Sequence, residues 1–276
     1  MTSSDQRAVD SHVHVLGPGY PFDPATTWKP DPSQMGTVRN FRDVLASHGL
    51  THGLLVGAQP YGRDNRCMLD AIASAPPGRL KGIALVDPAA SERELAQLHD
   101  GGVVGIRVNL RTYGLRELLE PGADALLARI REMGWFLQIQ FEKDQLVEAA
   151  PLLRKTGLRV MFDHFGRPDI AAGTGQAGFA TMLEFGRHDG AIVKLSGPFR
   201  SSEQGVPYRD VDPFIAAAIE AFTLDRCVWG SDWPFLKVAE RIDYGPQLDC
   251  VARWLPDPAD RRRVLWETPA RLFGFR

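Results

Sequence analysis

The chain has 276 residues, of which 44% are hydrophobic and 24% charged, and a formal net charge of −2. This supports one sizeable core, matches an ordinary soluble globular protein, and supplies no positive field of the kind that holds nucleic acid. No apolar run reaches a membrane span, no basic-then-apolar leader opens the chain, and the three scattered cysteines, Cys67, Cys227 and Cys250, suit neither a disulfide framework nor a CxxC zinc site, so the expected setting is the reducing cytoplasm.

In chain order, apolar runs alternate with helical patterns. The run 8–15 is followed by residues 16–35, which hold five prolines and predict an extended loop, and then by a helix over 37–48 that Gly49 closes. The run 52–58 precedes a helix over 65–74. The run 80–86 precedes a helix over 92–98, opened by Ser91 with Glu94 at capping-box spacing. The run 103–110 leads to a helix over 125–133 closed by Gly134. The run 135–141 leads to a helix over 145–155, with Leu146, Ala149, Ala150, Leu152 and Leu153 on one side and Gly157 at its end. The runs 159–164, 191–196 and 226–231 precede helices over 179–187, 213–222 and 261–273, with an irregular stretch over 200–212. The β-branched and aromatic content of the runs suits strands buried on both faces. Eight β/α units predict an α/β fold, a (β/α)8 TIM barrel forming a single domain over 1–276. The alternative, an open doubly wound sheet, lacks the glycine-rich turn after its first strand.

Four titratable groups fall at the C-terminal ends of three strands, where barrels keep their chemistry. His12 and His14 are two apart on the first strand and share a face. His164 closes the sixth strand in MFDHFGRPD, and Asp232 closes the eighth in VWGSDWPF. Burying these groups without a task would cost several kcal/mol. The chain carries 26 arginines and six lysines. Arg63, Arg107, Arg111, Arg167 and Arg200 follow strands at the expected mouth. Guanidinium forks match carboxylates bidentately, so this set predicts an anionic substrate with more than one carboxylate or a sulfonate. Trp28, in the proline-rich loop, can stack on a planar ring. Asn65 reads as a binding helper or as a helix cap. Ser196 lacks the Gly-x-Ser-x-Gly elbow of a nucleophile, and His48, His52, His99 and His188 are assigned no role.

The segments DSHVH (10–14), DHFGRPD (163–169), KLSG (194–197) and WGSDWP (229–234) together resemble the amidohydrolase superfamily. Within it the chain is most similar to the branch of small lactonases that includes 2-pyrone-4,6-dicarboxylate lactonase. The resemblance implies a hydrolase that opens an anionic cyclic ester. Asp232 would activate water, His12, His14 and His164 would donate to the carbonyl oxygen, and Arg107, Arg167 and Arg200 would bind carboxylates. Most members hold one or two divalent metals, using a carboxylated lysine or glutamate on strand four and a histidine on strand five. Here strand four offers Arg107 and Asn109, and strand five offers Gln138 and Gln140, so a bridging ligand is missing. A single zinc or manganese ion would have His12, His14 and Asp232, with His164 as a further ligand. Arg107 opposes such an ion, and the resemblance implies a reaction without metal, so no cofactor is expected. The competing readings are a metal-dependent sugar-acid lactonase, a decarboxylase of the same superfamily, and a non-catalytic anion-binding barrel, the last opposed by the intact acid at Asp232. The expected partner is a small anionic lactone, with no nucleic acid and no membrane; the sequence does not set an oligomeric state.

Overall fold

The computed structural model describes residues 7–276. Eight strands, β1 (Val9–Val13), β2 (His52–Val56), β3 (Leu80–Ala84), β4 (Val103–Asn109), β5 (Phe136–Gln140), β6 (Arg159–Phe162), β7 (Ile192–Ser196) and β8 (Cys227–Gly230), pair in parallel in chain order. Each lies inside the apolar run predicted for it. The expected barrel is therefore present, with helices between successive strands as parallel pairing requires. The Thr37 side chain accepts from the Asn40 N–H at the start of Val38–Ser47, and Ser91 accepts from the Glu94 N–H at the start of Glu92–Asp100. Gly49, Gly134 and Gly157 take positive φ where their helices end.

Two differences from the periodic pattern have local causes. The helix expected over 261–273 divides into Pro258–Arg262, a π-turn over Arg263–Glu267, and Thr268–Phe273; Pro269 lacks the N–H that an unbroken α-helix would use. The helices Leu110–Tyr113, Arg116–Leu119 and Tyr244–Trp254 were not expected. Among the described residues, no helix is long and apolar enough to cross a membrane.

The barrel interior is layered, as period-2 side chains on inward faces dictate. At the base, Val9, Leu54, Ile83, Phe136, Met161, Ile192 and Val228 form an apolar floor, closed from below by Trp266, Phe273 and Phe275. Two residues further along β5, β6 and β7 stand Gln138, Asp163 and Lys194, each fully buried, with Arg107 beside them from β4. Two residues further again, Gln140 lines the mouth and Ser196, fully buried, stands behind His164. An apolar floor thus carries a charged middle layer and, above it, the open end.

The seam between β8 and β1 has its own device. The Asp232 N–H donates to the His12 carbonyl and the His14 N–H to the Trp233 carbonyl, both at 2.9 Å. The fully buried Asp10 carboxylate accepts from the His12 N–H (3.2 Å), the Ser231 N–H (2.9 Å), the Ser231 hydroxyl (2.5 Å) and the Tyr244 hydroxyl (2.8 Å). Burial pushes its pKa up to about 6 against these donors. Gly230 permits the close approach: a Cβ there would lie 2.5 Å from the His12 Cβ. Asp10→Ala leaves several buried donors without an acceptor, so the unfolding free energy should fall by about 3 kcal/mol or more, at roughly 1–3 kcal/mol per orphaned group. Urea unfolding measures this, and a loss under about 1 kcal/mol would mean that the backbone bonds alone hold the seam.

Candidate active site

Asp232 follows β8 on a backbone with φ of +64°, a left-handed conformation that a non-glycine residue adopts only where its surroundings impose it. There its carboxylate is ringed by three imidazoles. His12 Nε2 and His14 Nε2 lie 3.7 and 3.6 Å from Oδ1, and His164 Nε2 lies 3.8 Å from Oδ2. The structure therefore brings together the four residues expected to carry chemistry. Arg200 Nε donates to Asp232 Oδ2. Burial opposes ionisation of Asp232, but Arg200, His164, His14 and His12 outweigh it and hold the carboxyl well below its ordinary range. Burial pushes His164 down to about 3, so this imidazole is neutral.

The far ring nitrogens are held from behind. His14 Nδ1 lies 2.9 Å from the Val56 carbonyl, which only accepts, so Nδ1 carries a proton. His164 Nδ1 lies 2.9 Å from the Ser196 hydroxyl. His164 itself sits in a turn with φ of +50°, and a Cβ at Gly197 would come within 2.9 Å of its Nδ1. Beneath them, Asp163 Oδ2 accepts from Arg107 Nε and Gln138 Nε2, both at 3.0 Å. Burial works against the Asp163 carboxylate, but His12, Arg107 and Lys194 hold its pKa far down.

A cationic collar surrounds the acid. Arg107, Arg111, Arg167, Arg200 and Lys237 all line the pocket, with Trp28, Gln59, Gln140 and Leu236 between them. Arg111 Nε donates to Glu142 Oε2 at 2.7 Å, and Arg167 shares that carboxylate at 3.8 Å. Burial, then Arg200 and Arg111, push the Arg167 pKa down to about 10, and its Nε is buried without a hydrogen-bond partner. The Lys237 ammonium donates to Gln59 Oε1 at 3.3 Å and lies 5.3 Å from the centre of the Trp28 ring. Asp163, Glu142 and Asp232 pair with four of these five cations, which leaves the pocket with surplus positive charge.

The same groups can be tested as a metal site. His12, His14 and Asp232 each offer one atom within a common radius, as do His12, Asp163 and His164. Two imidazoles and a carboxylate suit one zinc or manganese ion. A two-metal centre does not fit: β4 and β5 present Arg107, Asn109, Gln138 and Gln140 where a bridging carboxylate would stand.

Of the expected binding residues, Arg107, Arg111, Arg167, Arg200 and Trp28 line the pocket. Arg63 does not; it pairs with Asp87 and faces an adjoining cavity with Asn109, Tyr113 and Glu117. Asn65 does not line the pocket, and although it stands at the N-cap of the helix Arg66–Ala73 its side chain makes no capping bond. Its amide donates to the Arg63 and Leu85 carbonyls and accepts from the Leu85 N–H, tying the end of β3 to the neighbouring loop. Sequence reasoning assigned no role to Gln59, Gln140, Asp163, Lys194 and Lys237. Period-2 spacing from Ser196 and Phe136 could have found Lys194 and Gln140, whereas nothing in the spacing marks Gln59 or Lys237.

Comparison with known proteins places the chain in a family. The amidohydrolase family described as Amidohydro_2 matches residues 9–275. A 2-pyrone-4,6-dicarboxylate hydrolase of Comamonas testosteroni is 35% identical over 278 residues, covering 96% of this chain and 90% of the relative. A 4-sulfomuconolactone hydrolase of Rhizobium radiobacter is 33% identical, covering 97% and 90%. A crystal structure from Acinetobacter baumannii, described as a probable 2-pyrone-4,6-dicarboxylic acid hydrolase with citric acid bound, superposes with a TM-score of 0.86 at 29% identity over 97% of this chain and 99% of that one.

The charge surplus generates a test that needs no turnover. A planar dicarboxylate at about 100 times its Kd should stabilise the fold by about 2.7 kcal/mol, a rise in Tm of roughly 5–10 °C for a chain of this size. The rise should shrink in high salt and in Arg167→Met. A neutral diester that shifts Tm equally would show that charge does not govern occupancy.

Proposed function

The chain belongs to the amidohydrolase family, and on that premise we propose that it hydrolyses a cyclic ester carrying two anionic groups, a dicarboxylate or sulfonate-bearing lactone. The observation that carries this reading is a single acid ringed by three imidazole nitrogens at 3.6–3.8 Å beneath a collar richer in cations than in carboxylates. The relatives named for a dicarboxylated pyrone and a sulfonated lactone support the substrate class. Arg167, Arg111 and Lys237 would hold the anionic groups, and Trp28 would cover the planar ring. The three free, buried cysteines support a reducing, cytoplasmic setting.

The chemistry follows from where protons reside. His14 carries a proton on Nδ1 against the Val56 carbonyl, and its Nε2 points into the same space as Asp232 Oδ1. Asp232 orients the attacking water and takes its proton as the oxygen adds to the lactone carbonyl. His12 Nε2 and His164 Nε2 donate to the carbonyl oxygen and to the oxyanion that develops on it, with the Ser196 hydroxyl donating to His164 Nδ1. Collapse of the tetrahedral intermediate breaks the ring C–O bond, and the proton held by Asp232 returns to the leaving oxygen. Arg200 bridges the two tasks, holding Asp232 in place and facing the incoming anion.

A second reading rests on the converging atoms of His12, His14 and Asp232, which would hold one divalent ion. Such an ion would polarise the carbonyl as a Lewis acid. The favoured reading assigns that work to the imidazoles.

Two measurements decide. Asp232→Asn should lower kcat by about 10³-fold or more, within the range of a lost general base, while circular dichroism stays unchanged; near-wild-type kcat would remove Asp232 from the mechanism. Exhaustive dialysis against a chelator should leave kcat on a dicarboxylated lactone unaltered. Activity that vanishes and returns with zinc or manganese would establish the second reading instead.

A further inference from the structure

Lys194 lies at the centre of the barrel, fully buried, directly beneath the imidazole ring, and the mechanism above gives it no task. An ammonium taken out of water costs several kcal/mol even when paired, and an apolar side chain of similar volume often serves stability as well or better. Its surroundings show what it does there. An ammonium has three donors and no acceptor. Lys194 Nζ lies 2.7 Å from Gln138 Oε1, 3.3 Å from His12 Nδ1 and 3.6 Å from Asp163 Oδ1. Gln138 turns its amide oxygen to Lys194 and its NH2 group to Asp163 Oδ2. Asp163 Oδ1 lies 3.1 Å from the same nitrogen and is the competing acceptor there. His12 Nδ1 is thus approached by one donor, Lys194, and one acceptor, Asp163, and whichever bond forms sets where the ring carries its hydrogen. On the other side of the ring, His12 Nε2 is buried without a hydrogen-bond partner and faces the space beside Asp232.

We propose that Lys194 is a positioning residue that sets the tautomer of His12, donating to Nδ1 so that Nε2 carries the proton and points it at the reacting carbonyl. This rests on the reading of His12 as a hydrogen-bond donor in lactone hydrolysis. A neutral imidazole has one N–H, and a donor-only cation against Nδ1 puts that hydrogen on Nε2. The Val56 carbonyl holds His14 by its Nδ1 hydrogen, whereas Lys194 holds His12 by its Nδ1 lone pair, so the two rings are fixed from behind in opposite senses. The same tautomer removes the His12 Nε2 lone pair from the three atoms that a metal would use. Without the ammonium, Asp163 Oδ1 is the neighbouring acceptor for Nδ1, and the proton moves to that side of the ring.

The experiment reads the tautomer directly. Long-range ¹H–¹⁵N correlation spectra of the full chain, labelled at histidine, are recorded at neutral pH without substrate, with His12 assigned by its absence from the spectrum of His12→Asn. The wild type should show Nε2 protonated and Nδ1 pyridine-like. In Lys194→Met the pattern should reverse, with kcat falling about 10²-fold, the loss typical of one oxyanion donor, and KM changing less than roughly threefold. A Lys that only packs the core would leave the tautomer untouched. Wild-type His12 protonated on Nδ1, or a folded Lys194→Met that keeps the wild-type tautomer, overturns the proposal. Should the methionine variant not fold, the wild-type spectrum decides alone. Because no substrate is present, the tautomer is judged separately from the activity: the stated tautomer in a chain that opens no anionic lactone would refute the proposed function and not the role of Lys194 at His12.

Discussion

The arrangement depends on a buried layer of charge held inside a closed barrel. Lys194, Arg107 and Asp163 are removed from water by an apolar floor below and the imidazoles above. None could remain ionised alone, since the desolvation penalty of each is several kcal/mol. They persist by pairing at 3.0–3.6 Å, with Gln138 bridging the acid and the ammonium. Two cations share one carboxylate, so the layer keeps a positive bias. In a water-poor interior that bias reaches further than it would at the surface, and it has the same sign as the collar above it. Both layers favour an anion at the mouth.

The upper rim shows a cost accepted for aim. Asp232, His164, Phe165 and Arg167 all adopt positive φ, a conformation worth of the order of 1–3 kcal/mol of strain per residue outside glycine. Backbone bonds impose it. Asp232 is pinned to His12 across the seam, and the Gly166 and Arg167 N–H groups fold back to the Asp163 and His164 carbonyls. One tight turn after β6 therefore sends His164 toward Asp232 and Arg167 toward the cationic collar, while Asp163, one residue earlier than His164, stays in the charged layer. Three consecutive tasks are separated over five residues by a change of backbone hand.

Much of this was legible along the chain. Parallel strands buried on both faces read as continuous apolar runs, so all eight were visible, and several polar residues that interrupt those runs, His12, His14, Arg107, Gln138, Gln140 and Lys194, are the inward-facing groups of the site. The helix periods were visible where three or more turns bury a stripe, whereas Leu110–Tyr113 and Arg116–Leu119 are too short to show a period. Arg63 and Lys237 mark the limit on the site itself. Both follow strands, yet Asp87 draws Arg63 into a neighbouring cavity while Gln59 and Trp28 steady Lys237 over the pocket. Only the path of each loop distinguishes them.

The sequence by itself determined the barrel, the open end, and the identity of the acid and imidazoles there, because a period of two and a repeat of strand and helix are local properties. The tertiary structure alone decided which cation meets which carboxylate and which ring nitrogen faces the cavity. Those partners lie on different strands, as His12 and Lys194 do across the barrel axis, and only closure of the sheet brings them within reach of one proton.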